Sequence, residues 1–521
     1  MPYPVHLVWL KRDLRLADHA PLWQACQHAT ASHSSVLLLY VIEPCVIEAD
    51  TFDPSHWVFI ANSLALLQQA VAAKGGKLVI RQGEVTTVLT QLLDELSTAH
   101  PVVGLWSHEE TGDLATYARD KAVAAWAKQH GIPWVELPQT GVVRRLPHRD
   151  GWAKQWQQRM AQPLLSAPQA LPCHPEVKAL VSLPLPTPQG LGLAPNTKTL
   201  PQAGEAAAHE TLLSFLTLRG QPYQKAMSAP APAQTHCSRL SPYLAYGNIS
   251  IKQVVQATQH RQTALSHDTA LLASLDPLAQ KQWQGALRSF DKRLHWHCHF
   301  MQKLEDDPTL ENNALCRALN ELRPRNPDPA LFVAWCKGET GFPMVDACMK
   351  SLHATGWLTF RMRAMLVSFA CYQLWCDWRP VARYLATQFL DYEPGIHYPQ
   401  VQMQAGVTGI NALRIYSPSK QVADHDPEGE FIKAYLPALA GVPSGYLAQP
   451  HTMPPLLQAM VGCVIGQDYP APIVDPASAY HTAKQLAFEA KRSPQVRAEA
   501  QQVYQKHGSR QGQRRRSKLT S

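Results

Sequence analysis

The chain has 521 residues, of which 45% are hydrophobic and 17% charged, with a formal net charge of +8. That length fits two or three domains with a sizeable core, and that composition excludes a disordered chain. The 11 cysteines are scattered without a CxxC, which argues against a disulfide framework and against a four-cysteine metal centre, so no metal is expected.

The first 140 residues alternate between two patterns. Apolar runs at 5–10, 35–42, 77–83, 101–106 and 133–138 read as buried strands. Helical patterns lie between them at 57–73, 85–96 and 116–129. The series predicts an α/β domain with a parallel, Rossmann-like sheet and a ligand crevice at the carboxyl ends of its strands. No GxGxxG follows the first strand, so the usual dinucleotide fingerprint is missing. The N-terminus, MPYPVHLVWLKRDLRL, meets charge too soon for a signal peptide. No apolar run reaches the roughly 18–20 residues of a membrane span. The expectation is a cytoplasmic protein with no membrane association.

Nine prolines fall between residues 163 and 201, which marks 141–205 as a linker that wraps or spaces. From 206 to 485 the period changes to 3.6 and strand-like runs are scarce, so the second domain is expected to be all-helical. Residues 486–521 end in QKHGSRQGQRRRSKLTS and read as a basic tail, either a solvated terminus or a phosphate-binding arm.

Four stretches carry candidate chemistry. In THCSRLSPYLAYGNIS (235–250), a proline opens a helix, with Ser241 read as its N-cap. Such a helix end can bind phosphate or can simply be capped. In GWLTFRMRAMLVSFACYQLWCDW (356–378), Arg361 and Arg363 interrupt an apolar helix and need partners, for which Asp391 and Glu393 are available. His295 and His299 stand four apart, a zinc-compatible spacing, but with no evident third ligand they read better as core or surface histidines. DYEPGIHYPQVQMQAG (391–406) joins two acids to a lone histidine, His397, in a stretch otherwise free of charge, which reads as the rim of a ligand site.

Four of these segments, in order, resemble the cryptochrome/photolyase flavoproteins: VWLKRDLRLADHAPL (8–22), SRLSPYL (238–244), GETGFPMVDACMKSLHATGWLTFRMR (338–363) and DPEGEFIKAYLPAL (426–439). The resemblance implies FAD folded inside the helical domain, which then serves as the FAD-binding domain. It implies a phosphate loop at Cys237, Ser238, Arg239, Leu240 and Ser241, with cysteine where threonine is usual. Tyr223, Phe290, Trp357, Tyr392 and Glu393 are carried over as cofactor contacts, as is an Arg363–Asp391 pair. The N-terminal sheet becomes an antenna domain, whose chromophore, a pterin, a folate or a deazaflavin, cannot be read.

The departures from the family are specific. His397 stands where photolyases have Asn, and reads either as a charge switch or as a neutral, Asn-like hydrogen-bond donor. Of the usual electron-transfer tryptophans only the middle one, Trp378, remains. Val401 replaces the inner one and the outer falls near Arg325, leaving Trp375, Tyr372, Trp357 and Trp335 as alternative carriers. In the substrate pocket Phe360, Ala364 and Met403 replace the family's Asn, Met and Trp. Arg293 replaces a glutamate, and Trp296 and Arg361 remain as candidate DNA contacts. The resemblance therefore implies light-driven repair of UV-damaged DNA, with a cryptochrome-type photoreceptor that binds FAD without repair as the alternative.

Overall fold

The computed structural model describes residues 3–508. Five strands, β1 (Val5–Leu10), β2 (Ser35–Ile42), β3 (Lys77–Gln82), β4 (Val102–His108) and β5 (Trp134–Leu137), form one parallel sheet in the order β3-β2-β1-β4-β5. Alternate residues point to opposite faces. Val8, Leu10, Val36, Leu38 and Ile80 join one core, and Leu7, Trp9, Leu37, Leu39 and Val79 another. The crossover helices are α1 (Ala20–Ser32), α2 (Pro54–Ala73), α3 (Val85–Leu96) and α4 (Leu114–Gln129). The sequence patterns anticipate three of them and miss α1. Its polar, histidine-containing APLWQACQHATAS buries only a narrow stripe, and its cap is a histidine, His19, whose ring accepts from the Leu22 N–H.

The proline-rich segment wraps the sheet. Val36 N–H donates to Pro172 O (2.7 Å), and Leu183 N–H donates to Ile80 O (3.0 Å), which covers the exposed β3 edge. The segment holds one longer helix, α5 (Trp152–Met160).

The second half is helical. Its main elements are α6 (Ser241–Ala245), α7 (Ile251–His267), α8 (Pro277–Asp306), α9 (Pro343–Thr355), α10 (Phe360–Ser368), α11 (Trp378–Gln388), α12 (Pro394–Ala405), α13 (Pro476–Arg492) and α14 (Pro494–His507). The expected tail needs correction: residues 486–507 lie in α13 and α14. Val503 packs with Leu304, Leu310 and Leu315, and the Glu499 carboxylate accepts from the Ala318 N–H at 2.6 Å. The charged composition hid these few apolar anchors. The arginine run itself lies outside the described residues. Among the described residues no helix is long and apolar enough to cross a membrane.

The order of the strands reverses between β1 and β4, and the turn that leaves β1 there is the joint between the two halves. Asp13, fully buried, accepts from the Lys11 N–H (2.8 Å) and from His108 Nδ1 (2.7 Å), and lies 3.0 Å from His19 Nε2. Folded around that carboxylate, the turn bonds across the domains. Arg12 Nε donates to Ala245 O (2.9 Å), Leu14 N–H to Tyr246 O (3.1 Å) and Arg15 Nη1 to Gly247 O (3.1 Å). Ser250 Oγ donates to Asp18 (2.6 Å). Gly247 has φ +68°, and a Cβ there would meet the Arg12 carbonyl oxygen at 2.2 Å, so the two backbones need a glycine to touch.

Burial works against the Asp13 charge, but the two histidines override it and hold the carboxyl well below its usual range. A depressed carboxyl contributes stability above its unfolded value and loses it as the pH falls. Asp13→Ala, which strands those donors, is expected to lower the unfolding free energy by about 3 kcal/mol at pH 7. The gap to wild type should narrow below about pH 4. Denaturant titrations at several pH values check both; an equal gap at every pH would contradict the ionised clasp.

Candidate functional site

A cavity of about 320 Å³, within the size range of ligand sites, opens in the helical domain. Three helices build it, each showing one face. α8 contributes Phe290, Arg293, Leu294, His297 and Phe300; α10 contributes Phe360, Arg363, Ala364 and Val367; α12 contributes Ile396, His397, Gln400, Val401 and Gln404. These spacings of three and four place the side chains on one stripe of each helix. Thr359 caps α10 by accepting from the Met362 N–H (3.3 Å). α12 opens on Pro394 and approaches α8 closely, because a Cβ at Gly395 would lie 2.9 Å from Met301 Cα.

One end of the cavity is polar. Cys237, Ser238, Arg239, Leu240 and Ser241 line it with Tyr223 and Trp357. Arg239 has φ +60° and its guanidinium lies 3.9 Å from the centre of the Trp357 ring. It makes no ion pair among the described residues. Ser241 is not the N-cap that the sequence suggests but the first residue of α6, and its hydroxyl bonds Asp391. Leu240, an apolar residue, occupies the cap position and supplies no side-chain cap.

Arg363 and Asp391 form the expected pair, a two-pronged contact at 2.9 and 2.7 Å. Burial raises the Asp391 carboxyl, but Arg363, Ser241 and Arg239 together hold it below its ordinary value. Glu393 behaves oppositely. Its nearest cation, Arg12 of the β1 turn, is 3.9 Å away. Burial, eased by Arg12 and reinforced by Glu110, pushes its carboxyl up to about 7.

His397 is neutral. Burial pushes its pKa down to about 4, and Nε2 lies 2.9 Å from Ala382 O. A carbonyl only accepts, so Nε2 carries the proton and Nδ1 is left as an acceptor. Of the two sequence readings the charge switch near neutral pH is corrected and the neutral histidine fits, with its one N–H directed to Ala382 O.

The mouth is aromatic. Trp296 and Phe360 line it and are 43% and 42% exposed, unusual for rings of that size, and Arg293 stacks on Trp296 at 4.4 Å. Two expected substrate contacts fall elsewhere. Arg361 and Met403 do not line the cavity, although each neighbours residues that do. On a 100° per residue helix both project past the edge of the lining stripe. Arg361 finds no carboxylate, and its Nε is buried without a partner. Trp378 is buried (1% exposed) and also lies off the cavity wall, where Val401 stands instead.

Sequence reasoning missed His297, Gln400 and Gln404, although their helical spacing from Phe290, Arg293 and Ile396 was available. His295 and His299 pack on Trp156 (4.7 Å) and Trp152 (5.9 Å) of α5, which accounts for their spacing as core packing. Within the described residues, the Asp13, His19 and His108 atoms sit at hydrogen-bond distances, closer together than ligands around a metal ion.

The donor set suits a flavin dinucleotide: the hydroxyls of Ser238 and Ser241 and an arginine without an ion pair for a diphosphate, apolar side chains for rings, and the Arg363–Asp391 pair. The comparisons agree. Residues 6–147 match the family model for DNA photolyase and residues 290–489 that for the FAD binding domain of DNA photolyase. A deoxyribodipyrimidine photo-lyase of Salmonella typhimurium is 29% identical, covering 94% of this chain and 99% of that protein. A cryptochrome DASH of Gloeobacter violaceus is 26% identical over 90% and 96%. The crystal structure of a bacterial class III photolyase from Agrobacterium tumefaciens superposes with a TM-score of 0.79 at 24% identity, covering 95% and 98%.

Asp391→Asn leaves Arg363 half-paired in a largely buried setting, at an expected cost of about 2–4 kcal/mol. The purified variant is expected to retain several-fold less flavin, read by absorbance per chain after gel filtration; full occupancy would contradict the assigned role. For Glu393, a carboxyl raised from 4.5 to about 7 is protonated in both states at low pH and must be buried as an anion above 7. Stability is therefore lost as the pH rises through 7, by roughly 3 kcal/mol in full. Glu393→Gln should flatten that decline in pH-dependent unfolding of the flavin-free protein.

Proposed function

This chain belongs to the photolyase and cryptochrome family and carries its FAD-binding domain, and on that premise we propose that it repairs UV-induced pyrimidine dimers in DNA under blue light. The observation that supports repair over light sensing alone is the open, aromatic mouth of the cavity. A flavin that only signals needs no entrance flanked by two exposed rings and a stacked arginine. An extruded dinucleotide lesion does, because its bases gain stacking partners in exchange for those lost in the duplex.

When bound in its reduced form, FAD supplies the light-driven electron that splits the dimer and returns after cleavage. The chain's own residues do the rest. Ser238, Ser241 and Arg239, which line the cavity, would hold the diphosphate. The Arg363–Asp391 pair fixes α10 against the segment that leads into α12, so the walls keep one spacing. Leu294, Val367, Leu385, Phe389 and Val401 line the interior with apolar atoms and keep water from it. His397, neutral with its proton on Nε2, presents an acceptor to whatever N–H faces it. Trp296, Phe360 and Arg293 receive the lesion at the mouth, while Ala364, where the family has a larger residue, leaves room beside them. Arg293 at the mouth and the chain's net charge of +8 favour contact with phosphates, which makes binding salt-dependent.

The reduced protein, mixed with an oligonucleotide carrying a cyclobutane thymine dimer and illuminated, is expected to consume the dimer, followed by chromatography. Trp296→Ala and Phe360→Ala should each weaken binding of the damaged strand about 5- to 100-fold and leave flavin content unchanged, the range expected for one lost stacking contact. No loss of either cyclobutane or (6-4) photoproducts, with flavin bound and reduced, would overturn repair and favour the photoreceptor.

A further inference from the structure

Three glutamines alternate along α12 in the run QVQMQ, and the structure treats them differently. Gln402 points away from the cavity and is fully used. Its side-chain oxygen accepts from the Leu315 N–H (2.7 Å), and its amide nitrogen donates to Leu310 O and Asn313 O, both at 2.8 Å. Gln400 and Gln404, one turn apart, line the cavity. The nitrogen and oxygen of both carboxamides are buried with no hydrogen-bond partner, and Gln404 is only 3% exposed. A buried amide left unpaired costs on the order of 1–3 kcal/mol, so two side by side are a standing destabilisation. No residue of the lining bonds either amide, and its Ala364, Val367 and Val401 are apolar.

We infer that Gln400 and Gln404 form a reading site for a cyclic imide edge, the carbonyl, N–H, carbonyl sequence of a thymine or a flavin pyrimidine ring. A carboxamide both donates and accepts, and two of them in register complement an edge that alternates acceptor, donor, acceptor. An anion would leave both amide oxygens unmatched, and the arginines that suit anions stand at the phosphate loop and the mouth. The imide comes from one of two sources: the pyrimidine of a damaged base entering through the mouth, or the flavin's own ring. The inference rests on the family's flavin and on the repair reading, and deepens both by naming which atoms recognise the ring.

The test uses Gln404→Leu and the double variant with Gln400→Leu, with Gln402→Leu as control. Thermal melts of the flavin-free proteins come first. The cavity variants should be as stable as wild type or more so, because they remove orphaned amides, whereas Gln402→Leu should be less stable. Binding is then measured to an oligonucleotide bearing a thymine dimer and to its N3-methylated counterpart, alongside flavin content and flavin midpoint potential. If the lesion is the source, wild type discriminates against the methylated dimer on the order of tenfold, the variants do not, and the flavin readouts stay put. If the flavin is the source, the variants shift its potential or retention and dimer binding keeps its discrimination. Unchanged values in both arms, with the variants folded, would overturn the inference. Should wild type bind no dimer at all, the repair reading fails, but the flavin arm still decides the role of the glutamines.

Discussion

A single buried carboxylate holds the two halves of this protein in register. Asp13 sits where the strand order reverses, and every donor it accepts from belongs to the α/β domain. What those contacts fix is the shape of the turn between β1 and α1, and that turn reaches into the helical domain through Arg12, Leu14, Arg15 and Asp18. The bonds accompany a hydrophobic core that runs from Val8 and Leu38 of the sheet to Tyr246, Phe290 and Leu294 beside the cavity. The apolar contact supplies adhesion without direction, and the turn supplies the register.

That register matters because the cavity is lined by segments far apart in the chain. Its walls are three helices drawn from distant parts of the chain, and its rim includes Tyr392 and Glu393, both of which Arg12 contacts. The lining joins cations and hydroxyls, apolar side chains, two unpaired amides and two exposed aromatic rings. Such a mixture suits an amphipathic ligand inside and a flat, stackable one at the exposed rings.

Much of this was legible from residue order alone. Five strands and their direction follow from short apolar runs separated by helical ones. The Arg363–Asp391 pair follows from the family resemblance; the rule that a cation in an apolar helix seeks an anion left the partner open and does not hold for Arg361. Two of the errors share a cause: sequence gives the axial spacing of side chains but not the rotation of a helix about its axis. Met403 and Arg361 have the right neighbours and the wrong azimuth. Ser241 was displaced by one residue for want of the loop geometry, and Leu240, a residue with no capping atom, took its place. Residues 486–507 were misread because two or three buried apolar contacts suffice to dock a helix and barely register in a polar composition. The proton on His397 is set by a carbonyl of α11, a contact between segments that no local pattern encodes.

The turn around Asp13 also imposes an order on biosynthesis. Arg15 meets Gly247 and Arg12 meets Tyr392 across 232 and 380 residues of chain. At ribosomal rates of about 5–20 residues per second, Arg15 waits roughly 12–45 s for Gly247 and Arg12 roughly 20–75 s for Tyr392. During that interval α2 carries apolar residues, Phe59 among them, that pack on Tyr243 and Tyr246 only once the helical domain is made. The Asp13 clasp is made entirely within the first 108 residues, so the turn can take its final shape long before the domain it will engage exists. A latch built in advance turns a slow, long-range encounter into the docking of two prepared surfaces.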